Sequence, residues 1–254
     1  MALTKIDLQP ALVIHRRKYR ESSLLIELLT KDYGLVALVA RGARKSRDRT
    51  GLIQPFHLLQ ISWQSRSELG TLTQVELVTN HAEFNKLPIC LRLQGTALYC
   101  GLYINELISR VCHRGLMVEG LFESYLNAII ALEQFNEESK VLRVFEWQLI
   151  KLCGYGFSLD ETADSQRVVK DNYYIFQEHL GIVEVIKEVP GSITGNSLLA
   201  LHQGEWHDKK VLLEAKVLFN QVIKTLAGEK PFAARALYSG LLANKHKKTE
   251  KKHE

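Results

Sequence analysis

The chain has 254 residues, of which 46% are hydrophobic and 24% are charged, with a formal net charge of +5. This length and hydrophobic content suffice for two modest folded domains, and no apolar run approaches the roughly 20 residues that a bilayer span needs. The N-terminus lacks the layout of a secretory signal peptide, so we expect a cytoplasmic protein with no membrane partner.

Positive charge is concentrated at the two ends of the chain. Residues 1–80 contain 12 Lys/Arg and 7 Asp/Glu, residues 81–242 contain 16 and 19, and the last twelve residues contain 5 and 2. A basic first domain followed by a mildly acidic second one suggests that the ends of the chain meet an anion. The middle of the chain then builds structure or meets proteins.

Five short apolar segments separated by turn signals predict β-strands in the first part of the chain. In several of them polar residues recur at about every second position, which is typical of strands with one solvent-exposed and one buried face. A tight hairpin is predicted at residues 31–34, where Gly34 supplies the positive φ. The segments are Ala11–Arg20, Ser23–Thr30, Leu35–Arg41, Gln54–Trp63 and Thr71–Thr79.

So many short strands in so short a stretch predict a small closed barrel, and the five-stranded barrel that binds oligonucleotides is the OB-fold. A small β-sandwich or an SH3-like barrel is the alternative architecture.

Basic residues cluster in two segments of this predicted barrel. RGARKSRDRTG, residues 41–51, follows a predicted strand as a loop, and HRRKYR, residues 15–20, ends the first strand. Such clusters neutralise phosphates, and the aromatic residues Tyr19, Tyr33, Phe56 and Trp63 could offer stacking platforms to bases. An ordinary solvated surface is the alternative. The candidate DNA-binding residues are Arg16, Arg17, Lys18, Arg20, Arg41, Arg44, Lys45, Arg47 and Arg49.

Helical spacing of apolar residues begins after Pro88 and continues through most of the remaining chain. Between residues 160 and 190 two short strands, Tyr173–Phe176 and Gly181–Val185, predict a hairpin. The first predicted helical stretch ends at Cys112. Further helices are predicted at Val118–Phe135, Glu137–Cys153, Asn196–His202, Lys209–Ala227 and Phe232–Leu242.

These elements predict a two-domain α+β protein. Its N-terminal OB-fold barrel occupies residues 1–80, and its mainly α-helical C-terminal domain occupies residues 81–242. A small β-hairpin is inserted in the helical domain at residues 160–190. Residues 243–254 form a lysine-rich flexible tail, which is more typical of a solubilising end than of a binding arm.

No catalytic or metal-binding motif is present. The sequence contains no G-x-S-x-G, Walker A, G-x-G-x-x-G or H-E-x-x-H pattern and no C-x-x-C pair. We therefore expect no enzymatic activity, no cofactor and no metal, and we interpret the four cysteines as small buried hydrophobes. An adaptor that binds peptide or RNA is the main alternative function. A metal-dependent nuclease would need clustered carboxylates, which the spacing does not offer.

Arg143 borders a strongly apolar helical surface in KVLRVFEWQLIKL, residues 140–152. Such a border suits a peptide with apolar and acidic groups. A salt bridge at the edge of the core, to Glu146 or Glu106, is the more ordinary interpretation. The candidate peptide-binding residues are Arg143, Leu142, Phe145 and Leu149.

The chain has the order strand, turn, strand, RGARKSR and QPF, followed by GLYINELISRV and RVFEWQLIKLCGYGF. In this order of elements and motifs it resembles the RecO family of bacterial recombination mediators. The similarity runs from Ala11 to about Leu242. It implies an OB-fold and a helical domain in a protein that binds single- and double-stranded DNA and anneals complementary strands.

The same resemblance implies protein partners. The direct partners are RecR and single-strand-binding protein, and RecA is an indirect partner that the mediator loads on coated DNA. Arg143 and its apolar neighbours would bind the acidic C-terminal tail of single-strand-binding protein. Some members carry a four-cysteine zinc module after the GYG turn. This chain keeps only Cys153 there, which argues against zinc. If the fold of that module is retained, packing among Tyr173, Tyr174, Ile175 and Val183 must hold it in place of metal bonds.

Overall fold

The computed structural model of the protein describes residues 3–78, 91–134 and 137–239. Their contacts divide them into two compact units. The first unit contains the described residues up to 134 and those from Phe232 onward, and the second contains Glu137–Pro231. The expected domain boundary near residues 80–88, Cys90 and the lysine-rich tail at 243–254 lie outside the described residues.

Five strands of the first unit form a closed barrel in the order β1-β2-β3-β5-β4. The β3–β5 pair is parallel and the other pairs are antiparallel. Ala11 of the first strand pairs with both Thr30 and Leu59, so this strand closes the sheet on itself. The predicted OB-type barrel is confirmed, since a sandwich would leave two open sheets. The strands are β1 Thr4–Tyr19, β2 Ser23–Thr30, β3 Gly34–Ala40, β4 Leu58–Ser65 and β5 Leu69–Leu77.

Alternating side chains of all five strands fill the barrel interior. Val13, Ile26, Leu38, Ile61 and Leu72 are all at most 4% exposed and belong to one apolar cluster. Burial of each such side chain contributes about 1.5–3 kcal/mol to folding. The alternation seen in the sequence therefore corresponds to the barrel core.

The predicted hairpin turn joins β2 to β3. The Thr30 hydroxyl donates to the Gly34 carbonyl oxygen at 2.8 Å and accepts from the Tyr33 amide at 3.2 Å. Gly34 has φ +62°, and a Cβ there would lie 2.2 Å from the carbonyl oxygen of Leu116. The turn thus needs glycine for its conformation and for its close contact with residue 116.

Helices cover the barrel within the first unit: α1 Arg47–Leu52, α2 Gly95–Val111 and α3 Leu121–Gln134. Residues 233–239 are also helical. Asn105 of α2 donates to the Ile14 carbonyl oxygen at 3.0 Å and accepts from the Tyr125 hydroxyl at 2.7 Å. This buried chain of hydrogen bonds ties β1 to α2 and α3. The predicted end of the last helix, after residue 239, lies outside the described residues.

The second unit contains α4 Glu138–Leu152, β6 Tyr173–Gln177, β7 Gly181–Val185, β8 Ile193–Thr194, α5 Gly195–His202 and α6 Lys209–Ala227. The predicted hairpin is β6–β7, and β8 adds a third strand beside β6. Trp147 of α4 stacks on Phe219 of α6 at a centroid distance of 5.5 Å, which fixes the contact between these helices. No helix of the described ranges is long and apolar enough to cross a membrane.

Several details differ from the sequence prediction. β4 begins at Leu58, four residues after its predicted start at Gln54, and α3 begins at Leu121, three residues after the predicted Val118. β1 begins at Thr4, seven residues before its predicted start at Ala11, because Thr4–Ile6 pair with β4 although their side chains are largely exposed. Residues 43–52, predicted as a loop, form a 3-10 turn followed by α1. These helices are too short for apolar periodicity to reveal them.

Candidate nucleic-acid interface

The connection between β3 and β4 is a folded element. Gly42, at φ +67°, turns the chain into the 3-10 helix Ala43–Lys45. Ser46 then caps α1, accepting from the Arg49 amide at 3.2 Å, and the Thr50 hydroxyl donates to the Ala43 carbonyl oxygen at 2.6 Å. Ala43 is fully buried in the barrel core. The connection therefore holds its basic side chains on a defined backbone.

Arg44 joins this connection to the turn between β1 and β2. Its Nη1 donates to the carbonyl oxygens of Arg20 at 3.1 Å and Glu21 at 2.7 Å. Its amide donates to the Ser22 carbonyl oxygen at 3.0 Å. Two basic segments that are distant in sequence are thus adjacent at one end of the barrel.

Arg16 makes a second link between the same segments. Its Nη1 donates to the carbonyl oxygens of Thr50 at 3.2 Å and Ile53 at 2.8 Å, at the C-terminal end of α1. A cation at this end also complements the helix dipole. Within the connection, Nη1 of Arg49 donates to the Arg41 carbonyl oxygen at 3.2 Å. Three of the predicted DNA-binding arginines therefore hold the backbone in place as well as carrying charge.

We call the resulting surface the basic rim. It contains nine Lys/Arg. The only acidic residue within the two segments is Asp48, and Glu21 directly follows the first segment; both are exposed. Among the described residues, the side chains of Arg17, Lys18, Lys45 and Arg47 make no hydrogen bond or ion pair. The rim consists of Arg16, Arg17, Lys18, Arg20, Arg41, Arg44, Lys45, Arg47 and Arg49.

The rim residues on β1 divide between its two faces. Arg16 pairs with Ile26 and Lys18 with Leu24, and both partners point into the barrel core. Since opposite residues share a face, Arg16 and Lys18 lie at the barrel end beside α1, whereas Arg17 points outward. The rim therefore extends from the barrel end, where Arg16 and Lys18 lie, onto the outer wall at Arg17.

Only one of the four aromatic residues singled out in the sequence lies in the rim. Tyr19 is half-buried there, with the Arg20 guanidinium 5.3 Å from its ring centroid. Phe56 and Trp63 are each 5% exposed and belong to the packed interior. Tyr33, 40% exposed, sits in the turn at the opposite end of β2, with its ring edge-on to Trp63 at 5.4 Å. Of these four described residues, only Tyr19 can therefore offer a stacking platform beside the rim.

The geometry of the rim suits phosphate groups better than bases. Guanidinium and ammonium groups on a fixed backbone neutralise phosphates and release counterions, which gives affinity that falls with salt. Contacts to phosphates carry no base-sequence information. The chemistry of the rim is therefore that of a surface for phosphate groups.

The predicted peptide-binding residues lie on α4 and are mostly buried. Nη2 of Arg143 is 2.6 Å from Oε1 of Glu146, and the two side chains are 4% and 0% exposed. Phe145 and Leu149 are each 1% exposed, and Leu142 is half-buried. The salt bridge considered from the sequence is thus formed with Glu146. Whether Arg143 also receives a partner peptide stays a prediction.

Comparison with known proteins places the chain in a family. Residues 3–81 match the sequence model of the family described as recombination protein O N terminal, and residues 92–214 match that of recombination protein O C terminal. The chain belongs to the RecO family. The resemblance seen in the motifs is confirmed over both parts of the chain.

Three relatives illustrate the similarity to RecO. Each is described as DNA repair protein RecO. The protein of Cellvibrio japonicus is 36% identical over 92% of this chain and 98% of its own length. That of Nitrosococcus oceani is 36% identical over 97% and 99%, and that of Pasteurella multocida is 37% identical over 91% and 94%. A role in DNA repair follows from this family membership.

The zinc module of some RecO proteins does not fit the residues present here. The described residues contain no group of three or more His, Cys, Asp or Glu placed to hold a metal ion. Polar contacts organise the segment: Ser158 donates to Asp160 at 2.6 Å, and Arg167 donates to the same carboxylate at 2.6 Å. The Ser158 hydrogen bond, helped by His202 and Arg167, lowers the pKa of the Asp160 carboxyl.

Packing in this segment differs in part from the expected set. Tyr174 is fully buried and accepts a hydrogen bond from the Val169 amide at 2.8 Å. Tyr173, Ile175 and Val183, named with it as the apolar support, are only half-buried. The hairpin is therefore anchored by one buried side chain on each strand, Tyr174 of β6 and Ile182 of β7, which is 1% exposed.

Proposed function

We propose that this protein is a non-enzymatic recombination mediator that binds single- and double-stranded DNA through the basic rim. The proposal rests on the hydrogen bonds of Arg44 and Arg16, which join the two basic segments into one surface. This surface belongs to a member of a DNA repair family. Because the rim recognises phosphates, it would hold strands of any base sequence.

Strand annealing follows from the same chemistry. Two complementary strands repel each other through their phosphates, and a surface of nine cations lowers that repulsion when both strands lie on it. The family membership supports a setting in which the protein acts with RecR and promotes RecA loading on DNA coated by single-strand-binding protein. It would act in the cytoplasm, on the nucleoid.

The second unit, through α4, is the proposed receiver of the acidic tail of single-strand-binding protein. Nε of Arg143 is buried and makes no hydrogen bond within the described part of the chain, so the guanidinium retains a donor for an incoming carboxylate. On the same helix Leu142 is half-buried, and Phe145 and Leu149 are buried apolar side chains that an opened pocket would offer to the tail. Because Arg143 is nearly inaccessible, tail binding requires side chains around it to move.

The test of the rim is the anisotropy of a labelled single-stranded oligonucleotide across a salt series. The variant Lys45→Gln/Arg47→Gln removes two exposed charges that hold no backbone in place. We expect the slope of log K against log salt to become less negative by about 1.4, since each phosphate contact contributes about 0.7 on single strands. Lys216→Gln/Lys224→Gln, on the exposed face of α6, is the matched control. Equal slopes for the two variants would remove the rim from the proposal.

A peptide- or RNA-binding adaptor is the competing function. Competition between DNA and RNA oligonucleotides of equal length separates the two, because phosphate-led binding should tolerate both with similar affinity, whereas an RNA reader uses the 2′-hydroxyl. A strong preference for RNA would favour the adaptor. The proposed receiver on α4 is tested by titrating the protein with the acidic tail peptide. The titration is then repeated with the variant Arg143→Gln.

A further inference from the structure

The turn between β1 and β2 has a backbone conformation that its residues rarely adopt. Arg20 has φ +52°, in the left-handed region where a residue with a Cβ is strained. Arg44 holds the turn in this conformation. Its guanidinium donates to the carbonyl oxygens of Arg20 and Glu21, and its amide donates to that of Ser22. Such strain persists only where the surrounding structure imposes it, and it is concentrated at functional sites.

This turn brings an aromatic ring and a guanidinium together. Tyr19 ends β1 with its side chain half-buried, and the central carbon of the Arg20 guanidinium lies 5.3 Å from the centroid of the tyrosine ring. The Arg20 side chain is exposed. A guanidinium over a ring is held by a cation–π interaction, and both groups have flat faces on which nucleic-acid bases stack. The two side chains therefore form one stacking surface at the edge of the rim.

A cation for a neighbouring phosphate lies on the same face of β1. Arg17 and Tyr19 are two residues apart in this strand, so both side chains point to the outer wall, about 6.6 Å apart along the strand. Arg17 is exposed and makes no hydrogen bond or ion pair within the described part of the chain. A nucleotide spans a comparable distance from its base to its phosphate. The outer wall thus offers one nucleotide both a stacking surface and a cation.

Contact with a base distinguishes single strands from duplexes in a way that contact with a phosphate does not. Tyr19 is the only Phe, Tyr or Trp within the two basic segments, residues 15–20 and 41–51. In a duplex the faces of each base are covered by the neighbouring base pairs, whereas in a single strand a base can turn onto a protein ring. Stacking on Tyr19 is therefore a contact that a single strand can make and an intact duplex cannot.

We propose that Tyr19 and Arg20 form a base-stacking site, which single-stranded DNA uses and duplex DNA does not. This inference rests on the proposed DNA binding by the rim, and it adds to the phosphate contacts a contact with a base. Every base has a π-face, so the site accepts any base sequence. Because Arg44 holds the turn in place before DNA arrives, little ordering of the protein backbone opposes binding.

The test compares three fluorescent DNA probes of equal length. The first is a single strand of mixed sequence, and the second is a strand in which tetrahydrofuran spacers replace every base, so that only the sugar–phosphate backbone remains. The third is a duplex of the first sequence. Their affinities are measured by anisotropy for the unaltered protein and for Tyr19→Leu, which keeps an apolar side chain but has no π-face.

We expect Tyr19→Leu to bind the single strand about 5- to 150-fold more weakly, which is the factor that stacking of one base contributes. The base-free strand and the duplex should bind Tyr19→Leu as tightly as they bind the unaltered protein. The salt slope should not change, because no charge is removed. Unchanged affinity for the single strand overturns the proposal. Equal weakening on all three probes also overturns it, since the loss would then not depend on bases.

Two further variants separate stacking from packing. Tyr19→Trp keeps a π-face and should restore the affinity for the single strand. If Tyr19→Trp binds as weakly as Tyr19→Leu, lost packing explains the weaker binding and the proposal fails. Tyr173→Leu, at a half-buried tyrosine of β6 in the second unit, is the matched control and should leave the affinities for all three probes unchanged.

The proposed function and the stacking site fail in different ways. A less negative salt slope for Lys45→Gln/Arg47→Gln, with no effect of Tyr19→Leu on the single strand, supports the rim and overturns the stacking site. Failure of the unaltered protein to bind any of the three probes overturns the proposed function itself. Thermal unfolding of each variant shows whether a binding change reflects lost folding.

Discussion

Nη1 of Arg16 donates to the carbonyl oxygen of Ile53 at 2.8 Å, so a residue of the predicted DNA-binding set closes the end of α1. Its neighbour Arg17 is exposed and makes no such bond to any described residue. The two arginines are adjacent in sequence and equal in charge, but they differ in structural role.

Replacing each of these arginines by Gln should separate charge from structure. Arg16→Gln should lower the free energy of unfolding by about 1–3 kcal/mol, as hydrogen bonds from a charged donor are lost. Arg17→Gln should stay within about 0.5 kcal/mol of the unaltered protein. Urea unfolding measures both. Equal stabilities would mean that the Arg16 bonds to the end of α1 contribute nothing.

Gly34→Ala should be more damaging than the same change at Gly42. Both glycines have φ above +60°, which costs a residue with a Cβ about 1–2 kcal/mol. At Gly42 no atom lies within 4 Å of the new Cβ, whereas at Gly34 the Leu116 carbonyl oxygen is 2.2 Å away. We expect Gly34→Ala to cost about 1–3 kcal/mol more in denaturant unfolding. Similar costs would show that the contact with residue 116 yields easily.

The sequence predicted the barrel well because its strands obey a local rule. Alternation along Ser23–Thr30 and Leu69–Leu77 follows from one face being buried, and Gly34 marks the turn between two strands. The start of β1 was missed because Thr4–Ile6 gain their strand conformation from pairing with β4, which is distant in sequence. Long-range pairing leaves little local signal.

The candidate site was predictable in charge but not in arrangement. Clusters of Lys and Arg are visible in the sequence, but the hydrogen bonds from Arg44 to the carbonyl oxygens of Arg20 and Glu21 are tertiary contacts. Burial of Arg143 was equally hidden, because a cation on an apolar helix face can point to solvent or pair internally. The Glu106 carboxylate caps the helix at residues 233–239 by accepting from the Ala233 and Ala234 amides, a contact across the sequence that no local pattern predicts.

Tyr125→Phe tests the buried chain of hydrogen bonds between β1, α2 and α3. The change removes the donor to Asn105 Oδ1 and leaves that buried oxygen without it, which should cost about 1–3 kcal/mol. Burial raises the pKa of the Tyr125 hydroxyl well above its usual value of about 10.

This raised pKa gives the prediction a pH dependence. The hydroxyl stays protonated in the folded state but ionises in the unfolded chain above about pH 10, so its contribution to stability is complete below that pH and declines above it. The difference between the unaltered protein and Tyr125→Phe should therefore shrink in unfolding experiments above pH 10. A constant difference would place Tyr125 in a more hydrated site.

The buried pair of Arg143 and Glu146 should respond differently to single and double replacement. Glu146→Leu leaves a guanidinium without its buried counter-charge, and loss of one partner of such a pair typically costs about 3–5 kcal/mol. Arg143→Met/Glu146→Leu removes both charges and, at similar volume, should recover most of that loss. Because Nε of Arg143 has no hydrogen-bond partner among the described residues, the pair is incompletely satisfied. Thermal and urea unfolding of both variants provide the comparison. If Arg143→Met/Glu146→Leu is as unstable as Glu146→Leu, the ion pair itself stabilises the fold. Binding of a partner alone would then not explain why the pair is present.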